Sequence, residues 1–308
     1  MFVLHPFKSI RSILRAFDDR LIDIQREIAR LEYIQEALGR IEARQLSSTD
    51  SPHLADNEFR VFSQWGEDGI IQFLLRNIPI SNKTFVEFGV EDYRQANTRF
   101  LLVNNNWHGL VLDSSTQNID KIKATAIHSN YDLKAVHAFI TKDNINEILK
   151  NSGLSGEIGL LSIDIDGNDF WVWHAINVID PIIVVIEYNH RFGKDRAVTV
   201  PYDESFDRFR STRPLVYFGA SLKALCLLAQ KKGYAFLGCN SNGVNAFFVR
   251  KDKKPDLLKE LRPEEGFITG NFSELRDETG KIVKSTPEAE REMILHLPLI
   301  DVSNIDEI

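Results

Sequence analysis

Between Thr84 and Arg250 the chain alternates short β-branched and apolar runs with longer helical ones, and this rhythm limits its fold more than any other feature. Strands are expected at Thr84–Phe88, Gly109–Asp113, Ala135–Ile140, Gly159–Asp164, Ile182–Glu187, Ala235–Cys239 and Asn245–Arg250. Helices at Ala96–Asn105, Gln117–His128, Ile145–Lys150, Phe170–Ile176 and Leu222–Lys232 lie between most of them. A strand that runs into a helix returns most readily as a parallel neighbour, so five such units predict a parallel α/β sheet. The link Asn240-Ser241-Asn242-Gly243 is too short for a crossover, and the last two strands are expected to form an antiparallel hairpin.

Ahead of this region, apolar residues fall at Ile10, Leu14, Phe17, Leu21, Ile24, Ile28 and Leu31, in alternating steps of four and three. They resume in shifted phase as Ile34, Leu38 and Ile41. No proline interrupts residues 7–46, so one long helix with a coiled-coil seam is expected. Three partners fit such a stripe: the chain's own domain, a second copy of the helix in a homo-oligomer, or a membrane surface met through Lys8, Arg11 and Arg15. The acids that follow weigh against the membrane. The pattern divides the chain into an oligomerisation helix at 1–46, a linker at 47–57 that includes Ser47–His53, a sheet domain at 58–251 and an appendage at 252–308. In the appendage a turn is expected at Asp277–Gly280, then a helix capped by Thr286 with Pro287 as its first residue.

Charge narrows the partners. The 308 residues carry a net charge of -7 without a basic block, so nucleic acid is not an expected ligand, and a small polar molecule or a glycan is. Cys226 and Cys239 sit in apolar segments and read as buried thiols, which suits a reducing cytoplasm. The opening MFVLHPFKSI is too short and too interrupted for a signal peptide, and no later run reaches spanning length.

In an open α/β sheet, ligands bind beyond the carboxyl ends of the strands. The first strand ends in FVEFGVEDYRQANT, with a single glycine, Gly89, and no G-x-G-x-x-G turn for a pyrophosphate. Glu87, Glu91 and Asp92 would repel such a dinucleotide but attract a cation. S-adenosylmethionine, with its sulfonium and ammonium groups, suits them. Asp113 ends the second strand, where a carboxylate can accept bonds from both ribose hydroxyls. Each acid has an alternative as a solvated strand end.

The segments FSQWGEDGII (Phe62 to Ile71), FVEFGVEDYRQANT, WHGLVLDSS and LLSIDIDGND come in the order seen in FkbM-type methyltransferases, which this chain resembles over roughly residues 59–250. The resemblance implies a Rossmann-like class I methyltransferase sheet of seven strands, S-adenosylmethionine as cofactor, and a cofactor site lined by Gln64, Asp68, Glu87, Gly89 and Asp113. The chain departs from the family at Tyr93, where a second glycine is usual. In SQWGEDG, a purely structural alternative is that Ser63 caps a helix whose first turn holds Glu67 and Asp68.

A methyl acceptor must be aligned and, if it is an alcohol, must lose a proton. Asp164 and Asp166 are two apart at one strand end, and Glu187 and Asn189 are two apart at the next. Four oxygen donors from adjacent strands are a donor set for a magnesium-like ion. This set resembles that of metal-dependent sugar O-methyltransferases. Two other readings stay open: Asp164 or Asp166 as a metal-free base or hydroxyl-positioning group, and Asp166-Gly167 as a mere turn. His190 is a further candidate base. The polar insertion from His190 to Gly219 is a candidate acceptor region, with Tyr202, Asp203, Arg208 and Tyr217 for a polar group and Arg191, Lys194 and Arg196 for a phosphate or carboxylate. Trp171 or Trp173 is a candidate sugar-stacking ring.

The expectation is therefore an O-methyltransferase acting on a sugar or glycan precursor of the cell-surface polysaccharide type, with Mg2+ as a candidate cofactor. N-methylation, methylation of a phosphate-type oxygen, and a non-catalytic scaffold on the same fold are the alternatives.

Overall fold

A computed structural model describes residues 6–48, 51–209, 213–273, 275–276 and 279–307, and only the backbone of residues 6–11, 25, 29 and 307. Ile10, Lys8 and Arg11 of the expected seam and basic start, Thr49 and Asp50 of the linker, and half of the Asp277–Gly280 turn lie outside the described side chains or residues.

The elements alternate as the sequence rhythm requires. Helix α1 (Pro6–Leu46) and α2 (Glu67–Asn77) precede β1 (Thr84–Phe88), followed by α3 (Arg99–Asn105), β2 (His108–Asp113), α4 (Thr116–Lys123), α5 (Ala126–Asn130) and β3 (Leu133–His137). Then come α6 (Ile145–Asn151), β4 (Gly156–Ile163), α7 (Asp169–Ala175), β5 (Ile179–Glu187) and the short β6 (Val198–Thr199). The chain continues through α8 (Leu222–Lys231), β7 (Tyr234–Cys239), β8 (Asn245–Arg250), α9 (Pro263–Gly266), α10 (Pro287–Ile294) and β9 (Ile300–Asp301).

Seven strands form one sheet in the order β3-β2-β1-β4-β5-β8-β7. The first five are parallel, and β8 runs antiparallel to both β5 and β7. This is the expected Rossmann-like class I sheet with its antiparallel hairpin. The central strands are buried on both faces, so they read as continuous apolar runs rather than alternating ones. β1 pairs with β2 on one side and β4 on the other, so the strand order reverses there and a crevice opens beyond the carboxyl ends.

Several boundaries shift by up to three residues, among them the starts of α3, β4 and β5, and two differences have a clear local cause. β3 stops at His137 rather than Ile140, because Thr141 and Asn144 exchange backbone-to-side-chain bonds that shape a turn into α6. The helix expected at Gln117–His128 is two, split where the Thr125 side chain caps α5 by accepting from the His128 N–H.

The described elements of the appendage are packed on the sheet domain. β9 pairs with β6, and Arg191 meets Glu290 of α10 at 2.5 Å with each side chain only 1% exposed. Thr286 caps α10 on the Ala289 N–H, with Pro287 next, as its sequence implies. A buried ion pair costs much desolvation and is held only by good geometry, so removing one partner is far worse than replacing both. Glu290→Ala is expected to destabilise the fold by about 3–5 kcal/mol, read as a lower midpoint in urea unfolding. A midpoint unchanged within error would show that the tail is not anchored there.

Candidate functional site

The crevice at the β1/β4 switch holds two adjoining cavities, of about 430 Å³ and about 230 Å³. The larger is of small-molecule size. Gly89, Glu91, Asp164, Asp166 and Phe209 line both, so the acidic end of β4 stands at their junction. The smaller arm runs toward Asp113, Ser115 and Asn118 at the end of β2. The larger runs past Gln64, Trp65, Glu87 and Glu187 to Asn245, Phe272 and Arg276.

The three acids of the segment Asp164 to Asp169 have two different tasks. Asp169 is fully buried, and its oxygens accept the Ile165 and Gly167 N–H groups, both at 2.9 Å. It is a strut that folds the loop on itself, and burial pushes its carboxyl up to about 6. Asp166 takes a left-handed backbone, φ +56°, and so leaves the strand direction. The turn, not strand alternation, therefore brings it beside Asp164.

Across the crevice Glu187 ends β5, paired in register with Asn245 of β8. Oxygens of Asp164, Asp166 and Glu187 all lie within 4.8 Å of one another. Oxygen shells of Mg2+ or Ca2+ separate opposite ligands by roughly 4–5 Å, so these three residues fit one hard cation. Arg208 Nη1 reaches Asp166 Oδ1, while its guanidinium lies 4.0 Å over the Phe218 ring and its Nε donates to the Leu215 carbonyl.

Asn189 does not join this set. Its amide donates to the Val216 and Phe218 carbonyls at 2.8 and 3.0 Å, and its oxygen accepts the Arg191 N–H. It organises the return of the insertion, which is what a buried amide flanked by loop carbonyls does best. His190 is not in the crevice either. Its ring packs against Gly270 and Phe272, and neither ring nitrogen has a hydrogen-bond partner. Burial, with Arg191 adjacent, lowers its pKa to about 3, so it stays neutral and cannot cycle protons near neutrality.

The residues expected to bind the cofactor also divide. Gln64, Glu87, Gly89 and Asp113 line the cavities, and Asp68 does not. Asp68 Oδ2 accepts the N–H groups of Val61, Phe62 and Ser63 at 2.8, 2.7 and 2.7 Å. Ser63 Oγ accepts the Asp68 N–H in return, although the helix cap itself is Gly66, not Ser63. Glu67 accepts the Trp65 N–H and the side-chain amides of Asn240 and Asn245. Asp68 and Glu67 thus shape the loop that presents Gln64 and Trp65. Asp113 accepts the Glu91 and Ser115 N–H groups and the Asn118 amide, tying the β1 and β2 loops together at the smaller cavity.

Of the expected acceptor residues Arg208 lines the larger cavity, whereas Tyr202, Asp203, Arg191 and Trp171 line neither. Arg191 is consumed by Glu290, and the Trp171 indole donates to the Val200 carbonyl. Tyr202 lies under the Lys142 ammonium, and the exposed Asp203 caps its own turn at Ser205. Trp173, the other stacking candidate, is buried against Tyr234 and Phe248. The tryptophan at the crevice is Trp65, its ring 5.0 Å from that of Phe272. Trp65 stood inside a recognisable motif, but Phe272 and Arg276 carry no local signal because the tail reaches the crevice only through long-range packing.

No family model matches the chain, and no curated protein does. Among solved structures it is similar to an S-adenosylmethionine-dependent methyltransferase from Clostridium acetobutylicum, at 10% identity and TM-score 0.38 over 59% of this chain and 89% of that one. It is also similar to the N-terminal domain of EvdMO1 with SAH bound, at 9% identity and TM-score 0.40 over 68% and 94%. A third is the O-methyltransferase from Bacillus cereus in complex with SAH, at 14% identity and TM-score 0.34 over 54% and 72%.

Glu87 gives a pH test of the crevice. Its oxygens accept Asn97 N–H, Thr98 N–H and Thr98 Oγ1, yet full burial pushes its carboxyl from 4.5 up to about 7. Between those values the native state holds a proton that the unfolded chain has lost, so this group's contribution makes stability fall as pH rises. Urea unfolding is expected to show lower stability at pH 7.5 than at pH 5, with a smaller drop in Glu87→Gln. Equal drops in both proteins would contradict the assignment.

Proposed function

We propose that the chain is an S-adenosylmethionine-dependent O-methyltransferase of the FkbM type, acting on a hydroxyl of a sugar or similar polar acceptor. The observation that carries this reading is the acidic junction of the two cavities at the strand-order switch. A cationic cofactor would lie against Glu91, Asp113 and Asp164, whose charge suits a sulfonium and an ammonium and repels a pyrophosphate. Gly89 keeps the backbone at this junction low, and Asp113 with Asn118 offers a polar edge of the kind a ribose needs. When bound, the cofactor supplies an electrophilic methyl group; the protein's own work is alignment, proton removal and exclusion of water.

The larger cavity serves the acceptor in this reading. Trp65 and Phe272 form an aromatic wall on which the apolar face of a sugar ring can lie, and Arg276 adds a cation at the rim. A sugar hydroxyl is a weak acid. Asp164, Asp166 and Glu187 would hold a divalent cation there, and such an ion lowers the pKa of an oxygen bound to it. Whichever way the pKa is lowered, Asp164 is the carboxylate we assign to receive the acceptor proton. A second reading is metal-free and rests on Arg208: its guanidinium already places a positive charge on Asp166, which would leave Asp164 to act as base unaided.

Calorimetry with S-adenosylhomocysteine is expected to show binding, and its absence would leave only a scaffold role. Titration with Mg2+ alone is expected to show binding that Asp166→Asn weakens; no heat in the wild type, with activity untouched by chelation, favours the metal-free reading. Asp164→Asn is expected to lower kcat/KM by roughly 10²–10⁴-fold, whereas Trp65→Ala should raise the acceptor KM about tenfold with little change in cofactor affinity. Full activity in Asp164→Asn would exclude both hydroxyl-activation schemes and favour a nitrogen acceptor.

A further inference from the structure

Among the described residues, helix α1 packs on the rest of the chain through its second half. Gly39 lies against Val61 and Phe100, Gln35 donates to the Val61 carbonyl, and Glu32 pairs with Arg99 at 3.2 Å. Ala43 and Leu46 continue this face against the cluster of Phe59, Val61, Phe62 and Phe100. The seam points elsewhere. Leu14, Phe17, Leu21, Ile24, Ile28 and Leu31 are each between 43% and 63% exposed. A helix whose apolar stripe is wholly in water lacks the packing from which most helical stability comes.

We infer that the occupant of this face is the same helix of a second copy, lying antiparallel and centred between Leu21 and Ile24. The steps of three and four place Leu14, Leu21 and Ile28 at the first core position of successive heptads and Phe17, Ile24 and Leu31 at the second. In antiparallel register each first-position residue meets a second-position one. Leu14 packs on the second copy's Leu31, Phe17 on its Ile28 and Leu21 on its Ile24, and each layer is repeated by symmetry.

The flanking residues choose the direction. In the antiparallel register Arg20 faces Glu27 of the second copy twice over, and Ile13 faces Ile34. All four are exposed, and among the described residues Glu27 has only the i,i+3 pair with Arg30 at 2.6 Å. A parallel pair would set Glu27 beside Glu32, Ile13 beside Asp18, and Arg20 beside no acid. The antiparallel arrangement therefore joins unlike charges and apolar to apolar, and the parallel one does neither.

The phase break between Leu31 and Ile34 also finds its place. It falls where the antiparallel overlap ends, at the layer of Leu14 on Leu31, and where α1 begins to pack on its own domain through Glu32 and Gln35. The overlap is about 26 Å long. A membrane surface is the poorer occupant, because Asp18, Asp19 and Asp23 interleave with the bases along the same stretch.

Sedimentation equilibrium of the full chain tests this. The wild type is expected to be a dimer that dissociates on dilution, and Leu21→Asp with Ile24→Asp to be a monomer that keeps the urea midpoint of the sheet domain. Charge reversal reads the direction. Arg20→Glu and Glu27→Arg are each expected to weaken the dimer roughly tenfold, with recovery in the double variant. A parallel dimer would instead be tightened by Glu27→Arg, which would then face Glu32. That result, a wild type that is monomeric at every concentration, or a monomer that pellets with anionic phosphatidylserine vesicles, would overturn the proposal.

Discussion

The crevice depends on one close approach. Gly89 leaves β1 with φ +72°, and a Cβ placed on it would lie 1.6 Å from the Asp164 carbonyl oxygen. Any side chain there would push the first loop off the fourth strand. Because Gly89 has none, its N–H also reaches the Leu112 carbonyl at 2.9 Å, and the ends of β2, β1 and β4 close into one edge. The carboxylates of Asp113, Glu91, Asp164 and Asp166 are presented from that edge. Their convergence is a consequence of backbone packing before it is a matter of side-chain chemistry.

Acids supply both the frame and the lining. Glu67, Asp68 and Asp169 are buried, and each folds a loop by accepting nearby N–H groups. Asp164, Asp166 and Glu187 face one another across open space. Both kinds carry a desolvation cost; the frame acids recover it through local hydrogen bonds, and a cation between converging acids offsets it further. Arg208 supplies part of that charge, held in place by Phe218 and the Leu215 carbonyl.

The alternation of strands and helices, the hairpin and the acidic strand ends were legible in the sequence, because period and local composition set them. The nearness of Asp164 to Glu187 was legible too, since neighbouring parallel strands end at one edge, but Asp166 joins them through its left-handed turn. Sequence could not tell a strut from a ligand: Asp164, Asp166 and Asp169 look alike until backbone dihedrals send Asp166 outward and Asp169 inward. Nor could it foresee that Arg191 would be taken by Glu290, 99 residues away, or that Asn189 would turn from β5 toward the insertion. Residues 190–219 and 252–308 obey no period, so their partners are fixed only by the finished fold. For that reason Phe272 and Arg276, which line the larger cavity beside Trp65, were the least readable part of the crevice.

Tyr93 shows how a departure from a pattern can keep the pattern's geometry. It stands where the FkbM-type pattern that the sequence resembles usually has glycine, and its backbone is left-handed all the same, with φ +62°. Such a conformation costs a bulky residue about 1–3 kcal/mol. The ring offsets this: it is buried, its hydroxyl lies 3.0 Å from Thr98 Oγ1, and its carbonyl accepts from Arg99. Thr98 in turn donates to Glu87, so the substituted residue is wired to the acid that braces α3 at the cavity wall. A glycine would relieve the backbone and lose that wiring. The side chain therefore turns a permissive turn into a rigid one, and the rim of the crevice is held by packing where a glycine would have left it free.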